Sequence, residues 1–371
     1  MNRGAIREKV LGCLLGGLIG DAMGAPVEGW RYERIVAEKS YIDDFEGSGT
    51  DDSIIKLILC EALIENGGHA TADDFAESFL RHQDDYNWFF IPVRNMFHKI
   101  QDEHTLPIEA GRDNMASSSS AMSISPIGIV NACDPRTAAA EAYDAAGLIH
   151  SGCCSYCRDA ASAIAAAVAA AFTPGASVER VLDASTAYLH KKSAGVMRGR
   201  ITDTLALARK INATGAQEPA TTHADTPALA RKINATGAQE PATTHADTLA
   251  RETYGFDAFR RKYYETVRLY NTIADSRETV PVALAAFYLA DGDVRRSVEY
   301  GANFGRDADT IATMAGAIAG AFKGIAGIDK EWVNKVTASN DRQEKLADEM
   351  TDLVIARYNE RMGVSACIDA I

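Results

Sequence analysis

Glycine recurs at residues 12, 16 and 20 of the run VLGCLLGGLIG, which spans residues 10–20. Four residues is close to one α-helical turn, so these glycines share a face that carries no side chains. A neighbouring helix can approach such a face closely. The segment reads as a buried first helix. A signal peptide would fit Arg3, Arg7 and Lys9 ahead of an apolar run, but Glu8, Asp21 and four glycines argue against it. A membrane span needs about 20 apolar residues, more than this run supplies.

Small residues dominate other helical stretches too. CRDAASAIAAAVAAAFTPG (157–175) is alanine-rich and stops at Thr173-Pro174-Gly175. DSIIKLILCEALIENGG (52–68) has apolar residues at 54, 55, 58, 59, 62 and 63, then a Gly-Gly stop. DPRTAAAEAYDAAGLIH opens with Asp134 as N-cap and Pro135 at the first helical position. Periodicity predicts roughly a dozen helices, and strand signals are few. The segment from Asp329 to Asn359 is amphipathic. No proline- or glycine-rich linker divides the chain, so residues 1–371 read as one compact all-α domain.

The formal charge is −13, from 51 acids against 38 bases. That excess opposes a nucleic-acid backbone or an anionic membrane as partner and is compatible with bound cations. Seven scattered cysteines do not form a disulfide framework. A reducing cytoplasm is the expected location.

One segment stands apart. Residues 203–224, DTLALARKINATGAQEPATTHA, recur as 225–246 with one change, Leu205 against Pro227. Each copy of this near-perfect 22-residue tandem duplication reads as a short helix capped by Thr204 or Thr226, ending near Gly215 or Gly237, then a polar loop. A surface appendage without chemistry is the expectation, and His223 and His245 need no role.

Two acidic clusters share a layout. GTDDSIIKL places Thr50, Asp51, Asp52 and Ser53 at the mouth of an apolar helix, and GRDADTIATMAGAIAGAFKG does the same with Asp307, Asp309 and Thr310. Helix capping explains one such side chain per mouth. It does not explain two, because crowded like charges are costly without a cation among them. Four carboxylates with hydroxyls suit Mg2+, Mn2+ or Ca2+ rather than zinc.

With LGCLLGGLIGDAMGAPVEGW, GTDDS and GRDADTIATMAGAIAGAFKG in that order, the chain resembles the ADP-ribosylglycohydrolase family. The likeness covers nearly the whole sequence outside 203–246. It implies a compact orthogonal multi-helix bundle and two divalent cations, Mg2+ or Mn2+, in a cleft. By the same resemblance Thr50, Asp51, Asp52, Asp307, Asp309 and Thr310 are the metal ligands. Glu28 of GAPVEGW carries over from an acidic family position. Asp21 matches another and reads as a supporting group. The implied substrate is an ADP-ribosylated protein or an ADP-ribosyl small molecule.

The middle of the chain departs from the family pattern. MASSSSAMSISPIG has Ser117, Ser118, Ser119 and Ser120 where many members carry a Gly-Asn-Gly stretch that receives a diphosphate, and Ser123 replaces an arginine. Hydroxyls and backbone N–H groups can still hold phosphate oxygens, so these serines are substrate-binding candidates. His150 of GLIHSG joins them as a cleft-lining candidate. A histidine ending a helix is the competing reading. HSGCCSYC lacks the two separated pairs of a zinc knuckle, so Cys153, Cys154 and Cys157 read as ordinary thiols. Trp88, Phe89 and Phe90 fit either base stacking or core.

The expected reaction cleaves a glycosidic bond at a ribose anomeric carbon through an oxocarbenium-like state. Cations held by the four aspartates would grip ribose hydroxyls or a phosphate oxygen and activate water. Glu28 or Asp52 would move the proton. Three alternatives stay open: a hydrolase of a small N-riboside, an ADP-ribose or nucleotide-binding module without catalysis, and a structural protein.

Overall fold

The computed structural model describes residues 1–215, 243–339 and 342–371. Its helices are α1 Arg3–Gly24, α2 Tyr32–Lys39, α3 Asp51–Glu65, α4 Ala72–Arg81, α5 Ile91–Gln101, α6 Pro107–Ala110, α7 Ser119–Met122, α8 Ser125–Val130 and α9 Pro135–Ala145. After these come α10 Tyr156–Ala171, α11 Val178–Ala187, α12 Gly195–Gly215, α13 Thr243–Thr266, α14 Ser276–Leu289, α15 Val294–Phe304, α16 Ala308–Lys323, α17 Lys330–Ser339 and α18 Arg342–Asp369. No strand occurs among the described residues; two isolated bridges join Arg31 to Gly305 and Arg112 to Ser151. The count exceeds the dozen expected from periodicity. The surplus includes α6, α7 and α8, too short to show a helical period in sequence.

The glycine face of α1 lies against α16. A Cβ built on Gly12 would fall 2.5 Å from the Gly320 carbonyl oxygen, one on Gly16 2.3 Å from that of Gly316, and one on Gly20 2.2 Å from that of Ala312. Partner numbers fall as α1 numbers rise, so the two helices run antiparallel in register, turn against turn. Gly24 continues the series against the backbone of Asp309. The last turn of α1 therefore meets the first turn of α16, which carries the second acidic cluster. The first helix is buried from Val10 to Gly24, as expected.

Buried apolar side chains from Val10 to Val354 form one continuous core. A second, small cluster of Val27, Ile35 and Ala308 joins the segment around Glu28 to the start of α16. Backbone bonds reinforce that join: Gly29 N–H donates to Arg306 O at 2.7 Å, and Arg306 N–H donates to Trp30 O at 2.6 Å.

The reading of 203–214 as appendage is corrected. Thr204 caps nothing. It lies in the middle of α12, which begins at Gly195, and Thr204, Leu205 and Ala208 are all buried. The helix ends at Gly215 as expected. Residues 216–242, with Thr226, Pro227, Gly237 and most of the second copy, lie outside the described residues.

Candidate active site

The two acidic mouths meet. Thr50 is the N-cap of α3, its hydroxyl accepting the Asp52 N–H at 3.4 Å. That leaves Asp51 and Asp52 free of capping. At α16 the contrast is sharper. Asp307 occupies the N-cap position but makes no capping bond; its Oδ2 accepts from the Ser118 hydroxyl at 2.9 Å. Thr310 Oγ1 donates across to Asp52 Oδ2 at 3.0 Å and so links the two helix starts.

Carboxylate oxygens of Asp21, Asp52 and Asp309 lie within 4.8 Å of one another, and so do those of Glu28, Asp307 and Asp309. Asp309 belongs to both triads. Asp51 belongs to neither; its Oδ2 accepts the Phe90 N–H at 3.3 Å. Glu28 stands at the exposed rim, whereas Asp21, Asp52, Asp307 and Asp309 are buried.

This crowding raises the carboxyls of Glu28, Asp51, Asp52, Asp307 and Asp309. Burial acts first in each case. The strongest like-charge repulsion follows: Asp21 on Asp51, Asp309 on Asp52, Glu28 on Asp307, and Asp307 on Asp309. Asp51 and Asp307 are each pushed up to about 7. Asp52 and Asp309 stand well above the usual carboxylate range. Glu28 is raised by burial of its carboxyl group and by Asp21. Asp309 Oδ1 is buried with no hydrogen-bond partner. A buried polar atom without a partner is costly. Hard oxygens at this density, one of them orphaned, fit a hard divalent cation.

Asp21 is the group whose part the sequence showed least. It accepts from Thr50 N–H and Oγ1 and from Ser53 N–H and Oγ, at 2.5 to 3.0 Å. It thereby ties the end of α1 to the start of α3. The available signal was that Asp21 is the only charge between Lys9 and Glu28. Arg306, of positive φ, was also passed over. It pairs with the fully buried Glu278 at 2.8 Å and sets the turn before Asp307.

Ser117, Ser118, Ser119, Ser120 and His150 are brought together and are all buried. Ser117 Oγ lies 3.0 Å from His150 Nε2, and Ser120 Oγ lies 2.6 Å from Nδ1. With hydroxyls on both ring nitrogens, the imidazole supports the loop. Burial lowers its pKa to about 3, so it is neutral. Ser117 also donates to Ser119 Oγ at 2.9 Å. Of the four serines only Ser118 reaches a carboxylate of the cluster. Cys153 and Cys154 lie with their sulfurs 3.7 Å apart. No cysteine-containing group of metal-ligating spacing occurs among the described residues. Phe89 is core, and Trp88 is exposed.

Comparison with known proteins adds the family. Residues 2–361 match the ADP-ribosylglycohydrolase family. The chain belongs to that family. The Escherichia coli (strain K12) protein YegU is 27% identical over 352 residues, covering 90% of this chain and 93% of its own. An Archaeoglobus fulgidus protein is 26% identical over 94% of this chain and 97% of its own. The ADP-ribosylarginine hydrolase Tri1 of Pseudomonas putida (strain GB-1) is 34% identical over 94 residues, a quarter of this chain and 24% of its own. The solved structure of an ADP-ribosylglycohydrolase-related protein complex superposes with TM-score 0.60 at 21% identity, covering 95% of this chain and 99% of that one. The all-α bundle expected from the sequence is thus the fold of this ADP-ribosylglycohydrolase-family chain.

Proposed function

We propose that this protein is a divalent-cation-dependent hydrolase that cleaves the glycosidic bond to a ribose anomeric carbon, releasing ADP-ribose from an ADP-ribosylated protein side chain or small molecule. One observation carries the reading: Asp307 takes a helix cap position and leaves the cap unmade, beside Asp309, which belongs to both carboxylate triads and has one buried oxygen without a partner.

Asp51, Asp52, Asp307 and Asp309, with the hydroxyls of Thr50 and Thr310, would hold two ions, Mg2+ or Mn2+. When bound, the ions supply positive charge that orients the ribose hydroxyls and makes water a better nucleophile. The chain supplies the rest. Glu28, at the rim with a raised pKa, can hold and release a proton closer to neutrality than an ordinary glutamate. Asp52, buried among the other carboxylates, is the second carboxylate able to move one. The close approach of α1 and α16 fixes Glu28 relative to Asp307 and Asp309, and fixed donors and acceptors spare reorganisation in the transition state.

A second reading, hydrolysis of a small N-riboside, has one observation in its favour. The hydroxyls of Ser117, Ser118 and Ser120 all have protein partners, which leaves few side-chain donors for a diphosphate. A hydrolysis screen separates the two. ADP-ribosyl-arginine, ADP-ribosyl-serine and free nucleosides are incubated with Mg2+, with Mn2+ or with chelator. Ion-dependent release of ADP-ribose supports the first reading and ion-dependent release of free base the second. Hydrolysis that survives the chelator, or no hydrolysis of any substrate, overturns both.

A further inference from the structure

We infer that Ser118 is a positioning residue for the carboxylate of Asp307, and through it for the cation site. The inference rests on the cation-site reading above. Ser118 occupies the N-cap position of α7. Its carbonyl accepts from Ala121 N–H at 2.7 Å and from Met122 N–H at 3.0 Å. A serine there ordinarily caps with its hydroxyl, but this side chain makes no cap bond. It donates instead to Asp307 Oδ2 at 2.9 Å, 189 residues away, in a fully buried bond.

The platform behind Ser118 is rigid. Ser117 and Ser120 bracket it, and each is bonded to one nitrogen of the buried His150. Ser276 Oγ holds the Ser117 carbonyl at 2.9 Å. The hydroxyl of Ser118 therefore arrives at Asp307 from a fixed direction. It engages Oδ2 and so restrains the orientation of the carboxylate. Glu28 and Asp309 both repel the Asp307 carboxylate, so without that donor it would rotate to relieve the crowding. Supporting groups of this kind orient a ligand, and their loss typically weakens metal binding about 10- to 100-fold.

The test is Mn2+ titration of the chelator-stripped full chain near neutral pH, read by the electron paramagnetic resonance of free Mn2+. Wild type is compared with Ser118→Ala, Ser118→Thr and Ser123→Ala. Ser123 is a control for the loop alone, since its hydroxyl bonds the Ser119 carbonyl at 3.2 Å and not a carboxylate. The expected result is at least about tenfold weaker binding at one site in Ser118→Ala, with Ser118→Thr and Ser123→Ala close to wild type. If Ser118→Ala fails to fold by circular dichroism, Ser118→Cys, a weaker donor of similar shape, is expected to show the same loss. Equal affinity in wild type and the Ser118 variant overturns the inference and leaves the cation site standing. So does an equal loss in Ser123→Ala, which would mean general loosening of the loop. No saturable binding by wild type overturns the cation-site reading and takes this inference with it.

Discussion

Asp21 and Asp309 are both buried carboxylates of one cluster, yet their surroundings differ. Four donors converge on Asp21, while one oxygen of Asp309 has none. Both suffer like-charge repulsion, so the donors decide the sign of a substitution. Asp21→Asn sets an amide N–H2 against N–H and hydroxyl donors of Thr50 and Ser53. It should destabilise the fold by about 1–3 kcal/mol, the cost of stranding buried polar groups. Urea denaturation measures it, and wild-type stability would mean that Asp21 does not hold the start of α3. The acidic mouths were legible because Thr-Asp-Asp and Asp-Ala-Asp-Thr before an apolar run are local patterns. The bonds from Asp21 to Thr50 and from Ser118 to Asp307 were not, because nothing local in sequence marks partners 29 and 189 residues apart.

At the scale of elements, α1 and α16 place the site. Their glycines act by having no side chain where a carbonyl of the other helix sits. Gly16→Ala would drive a methyl to 2.3 Å from the Gly316 oxygen, and no flexible side chain is there to give way. Overpacking of this kind costs about 1–3 kcal/mol, and here it also spreads the mouths that carry Glu28 and Asp309. Gly199→Ala in α12 meets nothing within 4 Å, so helix propensity alone should make it neutral or stabilising by up to about 1 kcal/mol. The melting temperature should therefore fall for Gly16→Ala and hold or rise for Gly199→Ala; equal shifts would contradict the close crossing. The glycine spacing in α1 announced a face but not its partner. Spacing reports what a helix offers, and pairing is settled by the rest of the core. The Asp134 cap and Pro135 start of α9 were legible in full, since the bond from Thr137 N–H to Asp134 Oδ1 spans three residues.

For the whole molecule, the duplication provides a matched pair of deletions. Removing 225–246 joins Ala224 to Asp247 and leaves α12 intact. The residues ahead of Asp247 remain Thr-Thr-His-Ala, as before. Removing 203–224 yields the same sequence with one exception: proline stands where Leu205 is. Leu205 is buried within α12, and proline in a helix interior costs about 3 kcal/mol or more. The first deletion should melt close to wild type, because it keeps α12 with its buried Leu205 and Ala208, and the length of the connection between two helices changes stability slowly, about 0.6 kcal/mol per doubling. The second should melt well below it. Equal melting would show that the head of the first copy is not a core segment. The central claim is that the acidic mouths are a ligand set and not helix caps, and it has a direct test in the melting of wild type and Asp309→Asn near pH 8, with and without saturating Mn2+. Asp51 and Asp307, raised to about 7, keep protons in the folded chain that the unfolded chain releases near pH 4. Ion-free stability therefore falls as pH rises from about 4 through about 7. Above that range the repulsion is at its fullest. The account predicts that ion-free Asp309→Asn melts no lower than wild type, and that Mn2+ raises wild type by a few degrees, about 2.7 kcal/mol at a hundredfold excess over Kd, with little effect on the variant. An ion-free variant that melts below wild type, together with a wild type indifferent to Mn2+, would contradict it.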